Sequence, residues 1–210
     1  MDAPHAIRIG TEGAPRVVFG HGWGRSGRDF IPVAETIAPI ADSLLLDLPG
    51  FGATPRPDDA WGTQDYADHV AHHLADTFGI ERFVWVGHSF GGRIGLRLAA
   101  KSVPGLAHLI VVAGAGAPRQ LGGAEKLRRK LRGARFKALK ARARSEDEVI
   151  ALERRFGSPD YVASREAGLR DIFVKTISED QTKTARAIVC PTTLIYGAED
   201  TETPPEIGRR

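Results

Sequence analysis

The 210-residue sequence predicts an α/β fold: a mostly parallel, doubly wound sheet with helices on both faces and a helical insertion before its last strand. Three observations carry that expectation. Strand-length apolar runs such as Ser43 to Leu48 and Ala107 to Val112 show no polar alternation, the pattern of strands buried on both faces. Stretches with apolar residues at helical spacing lie between them, which is the order of a parallel sheet. Glycine clusters stand just past strand ends, where the chain must take unusual dihedrals or approach another segment closely.

Taken in order, Ala6 to Ile9 reads as a short strand and Arg16 to Phe19 as a firmer one that runs into Gly20-His21-Gly22-Trp23-Gly24. Asp29 to Ala41 has helical periodicity through Phe30, Val33, Ile37 and Ile40, with Ser26 as the expected cap and an interruption near Pro39. Ser43 to Leu48 turns outward at Pro49-Gly50-Phe51-Gly52. A Pro-rich loop to Gly62 then leads to a helix over Gln64 to Phe78, capped by Thr63 and followed by Gly79. Arg82 to Val86 is a strand, Gly87-His88-Ser89-Phe90-Gly91-Gly92 a turn, Arg93 to Ala100 a helix and Ala107 to Val112 another strand. From Gly114 to about Ala187 the rhythm breaks into helices, at Ala124 to Ala143, Glu146 to Phe156 and Arg165 to Ile177, before Thr192 to Gly197 resumes the sheet. The expected division is 1–113 as the first part of a core, 114–187 as a helical cap, and 188–210 as a second, truncated part of the core. A cap belongs over the C-terminal edge of the strands, where open α/β sheets bind ligands.

No run of about 18 apolar residues appears, so no membrane span is expected. The start, Met1-Asp2-Ala3-Pro4-His5, lacks a signal-peptide pattern, and the single cysteine, Cys190, fits a reducing, cytoplasmic location. The net charge of +3 conceals an asymmetry: ten basic residues and no acidic one lie between Lys126 and Arg144, which leaves the remainder of the chain at −7. This segment is expected to be the solvated outer face of a cap helix whose apolar side, Leu127, Leu131, Ala134 and Ala138, covers a pocket. Binding to nucleic acid or to an anionic lipid surface is the reading weighed against it, and capture of an anionic substrate lies between the two. A histidine pair at His69 and His73 has metal-ligand spacing but no carboxylate or cysteine partner, so no metal is expected. Neither a Lys-terminated phosphate loop nor a dinucleotide-binding pattern occurs, so no cofactor is implied.

The chemistry concentrates at Ser89. A strand that turns at once into a helix forces its central residue into a strained conformation, and glycines two positions either side let the segments pass without Cβ clashes. The serine is thereby pushed out at a helix N-terminus, whose N–H groups stabilise an oxyanion. Four motifs follow one another behind their strands: His21-Gly22-Trp23-Gly24, Asp47-Leu48-Pro49-Gly50-Phe51-Gly52, Gly87-His88-Ser89-Phe90-Gly91-Gly92 and Tyr196-Gly197-Ala198-Glu199-Asp200. With them the chain resembles the α/β-hydrolase family over essentially its whole length. That resemblance implies Ser89 as nucleophile, Asp200 as the acid of a triad, and the backbone N–H groups of Trp23 and Phe90 as the oxyanion hole. It implies His21, Gly22 and His88 as residues of the substrate-binding turns. Serine in place of aspartate at the elbow argues against haloalkane dehalogenases and epoxide hydrolases, leaving hydrolysis of an ester, thioester, amide or carbon–carbon bond in a small-molecule acyl substrate.

The departure from the family pattern is the base. The family's order is Ser, acid, His, yet only ten residues follow Asp200 and none is a histidine. All seven histidines, His5, His21, His69, His72, His73, His88 and His108, precede the insertion. Three explanations stay open: a C-terminally incomplete hydrolase lacking its last strand and helix, a short form that binds without catalysis, or a histidine supplied by another chain. Without a further strand, Thr192 to Gly197 is expected to be an unpaired sheet edge and a route to a homodimer.

Overall fold

The computed structural model describes residues 1–118 and 122–209. Six strands form one sheet: β1 (Ala6–Gly10), β2 (Arg16–Gly20), β3 (Asp42–Leu46), β4 (Phe83–His88), β5 (Leu106–Val112) and β6 (Thr192–Ile195), in the order β1-β3-β2-β4-β5-β6. β1 runs antiparallel to β3, and the other pairs are parallel. The continuous apolar run explains β3, all five of whose residues are buried. Its first residue, Asp42, is charged and has no exposed surface, which is tolerable only because Arg8 of β1 and Arg16 of β2 reach it at 2.6 Å and 3.0 Å. The hydrogen bonds from Arg8 hold that carboxyl below the usual range.

Contact density divides the chain into two compact units, one comprising 1–118 with 174–210 and the other 119–173. The first unit contains the sheet together with α1 (Ile31–Ile37), α2 (Thr63–Asp76), α3 (Phe90–Ala100) and α8 (Thr182–Arg186). The second contains α4 (Gly123–Arg142), α5 (Glu146–Phe156) and α6 (Pro159–Glu166), and α7 (Arg170–Ser178) runs from one unit into the other. Residues 176–184 bond within the first unit: Arg93 donates to the carbonyls of Thr176 and Glu179, and Arg97 to Glu179 and Thr184. Glu179 also accepts from the Thr63 hydroxyl.

Several helix boundaries shift for local reasons. Ser26 makes no side-chain cap; a 3-10 turn at Gly27–Phe30 precedes α1, which begins with Pro32 in its first turn. Thr63 is the first residue of α2 and not its cap, and its hydroxyl oxygen accepts from Arg97 and Gln181 while its O–H goes to Glu179. The cap is Gly62, whose N–H donates to Asp65 at 2.7 Å. The single helix expected over Arg165 to Ile177 is two helices, since Gly168 adopts φ +66 between them. Ser158-Pro159, a serine cap followed by proline, was a legible start signal for α6: the serine hydroxyl accepts from Tyr161 N–H at 3.2 Å.

The helical unit is organised around Glu153, 1% exposed and bonded by Lys140, Arg165 and Arg170. α4 docks within that unit through Phe136, stacked on Phe156 at 5.6 Å. Its opposite side carries Leu127 and Leu131, 58% and 61% exposed. No helix among the described residues is long and apolar enough to cross a membrane.

Candidate active site

Topology selects the place. The chain leaves β2 toward β3 on one side of the sheet, whereas β4 lies on the other side of β2, so the loops after β2 and β4 part at a switch point where open α/β sheets form a crevice. Gly20 pairs with Gly87 in register, which sets the His21–Gly24 loop directly beside His88 and Ser89. The two are then tied together, as Gly91 N–H donates to His21 O at 2.9 Å.

Ser89 sits between β4 and α3 with φ 45 and ψ −99, a conformation that L-residues rarely adopt. Space explains the glycines. A Cβ at Gly87 would come within 2.3 Å of Gly91 O, and one at Gly91 within 2.0 Å of Gly20 O. Trp85, fully buried beneath the turn, donates its indole N–H to Gly91 O at 3.0 Å and fills the space under Gly20 and Gly95. The strain at Ser89 is therefore held in place by a tightly packed floor.

Ser89 N–H donates to Val112 O at 3.0 Å, fixing the elbow to β5. Its hydroxyl has no hydrogen-bond partner among the described residues. Phe90 supplies the first N–H of α3, where no intrahelical carbonyl competes for it. Its ring packs edge-on against Trp23 at 5.3 Å and Tyr66 at 5.0 Å, with Phe51 at 5.9 Å. The residues read from sequence as oxyanion-hole donors are thus neighbours, joined by an aromatic wall.

His21 has no exposed surface. Leu48 N–H donates to its Nε2 at 3.0 Å, which makes Nδ1 the protonated nitrogen, and that N–H donates to Gly22 O at 2.7 Å. Burial lowers its pKa, so the ring stays neutral and its work is to hold the loop. Gly22 leaves room for His88, whose Nδ1 a Cβ there would approach to 2.7 Å. His88 is half-buried, and burial lowers its pKa although Asp29 and Asp200 pull the other way. Asp47 accepts from the N–H groups of Gly27 and Ala53 and from His5, and so braces two loops.

Asp200 follows β6 and is bonded by the N–H groups of Glu202 and Thr203 and by the Thr203 hydroxyl. These hold its carboxyl below the usual range, Thr203 N–H contributing most. The structure brings Asp200 within electrostatic reach of His88, not into a bonded pair with any histidine. The remaining histidines are occupied elsewhere: His5 with Asp47, His72 with Asp76, His73 with Thr77, His108 with Thr193, and His69 against Trp61. Among the described residues no three His, Cys, Asp or Glu side chains gather as a metal set.

Comparison with known proteins agrees with this architecture. A family model described as the α/β hydrolase fold matches residues 15–209. A 2-succinyl-6-hydroxy-2,4-cyclohexadiene-1-carboxylate synthase of Salmonella paratyphi B is 35% identical over 107 residues, 50% of this chain and 40% of that protein. The matched stretch thus takes in less than half the length of that curated relative. Among solved structures, the enol-lactonase of Burkholderia xenovorans LB400 superposes with a TM-score of 0.70 at 21% identity, covering 98% of this chain and 82% of its own. A thermophilic esterase of Thermogutta terrifontis gives 0.68 at 23% identity, covering 98% and 78%.

Proposed function

This chain belongs to the α/β hydrolase fold family, and from that premise we propose that it is a serine hydrolase acting on a small carboxylic ester or related acyl compound through an acyl-enzyme. The observation that carries the reading is Ser89, held at φ 45 on a turn that only glycine neighbours permit and presented at the start of α3. In this reading Ser89 Oγ attacks the carbonyl carbon, and the N–H groups of Phe90 and Trp23 receive the oxyanion as it forms. Asp200 is the acid that would orient a histidine to take the serine proton, a base that these 210 residues do not place beside it. The aromatic wall of Trp23, Phe51 and Phe90 excludes water from the acyl group, which strengthens those hydrogen bonds. Since the curated relative's name is that of a carboxylate synthase, substrates bearing a free carboxylate belong beside neutral esters in any panel.

A second reading has its own observation. No histidine is hydrogen-bonded to Ser89 Oγ among the described residues, as in a protein that binds an acyl compound without turning it over. Intact-mass measurement before and after exposure to a fluorophosphonate separates the two. The hydrolase reading expects one adduct, mapped to Ser89 and absent from Ser89→Ala. An unlabelled protein that still binds the ester would replace it with the binding reading.

A further inference from the structure

The exposed side of α4 has a definite composition. Leu127, Leu131, Ala134 and Ala138 occupy i, i+4, i+7 and i+11, so they form one stripe along the helix. The two leucines are 58% and 61% exposed, and no residue of the helix is buried. Cations border both margins. Arg128, Arg135 and Arg142, at i, i+7 and i+14, run along one side, and Lys130 and Lys137 run along the other. All five are exposed and make no ion pair among the described residues. The only acidic residue in the helix is Glu125, in its first turn. Beside the stripe opens a recess of about 440 Å³ lined by Arg128, Leu131, Arg132, Arg135, Arg155 and Phe156.

Exposed leucines flanked by unpaired cations suit one kind of surface. A nucleic acid would satisfy the arginines and leave the leucines in water. A neutral apolar protein face would cover the leucines and strand the cations. An anionic phospholipid surface supplies acyl chains for the stripe and phosphates for its margins in a single layer. We propose that α4 is an interfacial helix that lies in the headgroup layer of an anionic membrane, with Leu127 and Leu131 directed toward the acyl chains and the arginine-lined recess holding a lipid phosphate. The helix adheres without spanning, and the proposal is independent of chemistry at Ser89.

The test is sedimentation of the full chain with vesicles of equimolar phosphatidylcholine and phosphatidylserine, beside vesicles of phosphatidylcholine alone. Binding to the mixed vesicles only is expected. Leu127→Glu with Leu131→Glu should abolish it. Arg128→Gln and Arg135→Gln should each weaken it roughly fivefold, the effect of one surface cation near anionic lipid. All four positions are exposed, and unchanged circular dichroism confirms that the variants fold. No binding to the mixed vesicles, equal binding to pure phosphatidylcholine, or binding indifferent to the leucine substitutions would each overturn the proposal. The last of these, with displacement by duplex RNA, would assign the helix to polyanions instead.

Discussion

Ser89 is the residue at which the fold stores strain. A non-glycine residue in such a conformation costs about 1–3 kcal/mol, and glycine relieves it at an entropic cost of about 0.5–1 kcal/mol. Ser89→Gly is therefore expected to unfold in urea with a stability about 1 kcal/mol above the parent while losing all fluorophosphonate labelling. A less stable variant would mean that the turn holds no strain. Gly91→Ala has the opposite sign. Its Cβ would meet the backbone of Gly20 at 2.0 Å, and such overpacking costs about 3 kcal/mol because neither backbone can yield; urea unfolding of this variant checks it. These glycines were legible in the sequence because sterics at a strand–helix turn is local. The tautomer of His21 was not, since it depends on Leu48 N–H, twenty-seven positions away.

At the scale of elements, the helical unit depends on Glu153. Burial pushes this carboxyl's pKa up, but the hydrogen bonds from Arg165, Arg170 and Lys140 push it much further down. A depressed carboxyl contributes stability that is complete above its unfolded pKa of about 4.3 and is lost as pH falls toward its folded value. Glu153→Gln should cost about 2 kcal/mol at neutral pH, below the range for a fully buried pair because its three partners reach water. Thermal melts of both proteins should show that gap constant above about pH 5 and shrinking below about pH 4; a gap unchanged at pH 3 would assign the loss to shape and not to charge. Strands and most helices were legible here, because continuous apolar runs and helical periodicity report burial directly. Which side of α4 is covered was not, since Leu127 and Phe136 are both apolar and only the position of Phe156 decides between them.

For the molecule as a whole, β6 closes one side of the sheet, with all four residues exposed and Leu194 and Ile195 44% and 49% accessible. An apolar edge with unpaired backbone groups is a template for another strand. The chain is expected to self-associate in sedimentation experiments, and Leu194→Lys should shift it toward monomer; a parent that stays monomeric at high concentration would contradict this. The bonds of Glu179 were not readable in the sequence, since its partners Thr63 and Arg97 are 116 and 82 positions distant. The placement of the tryptophans gives the molecule a built-in optical readout. Trp85 is sealed under the elbow with its indole N–H bonded, so its emission should stay blue until the sheet opens. Trp23 stands half-exposed in the aromatic wall, where a docked acyl group would change its fluorescence while Trp85 stays dark to the event. Steady-state spectra of a Trp61→Phe background would then distinguish an occupied crevice from a loosened fold in a single titration.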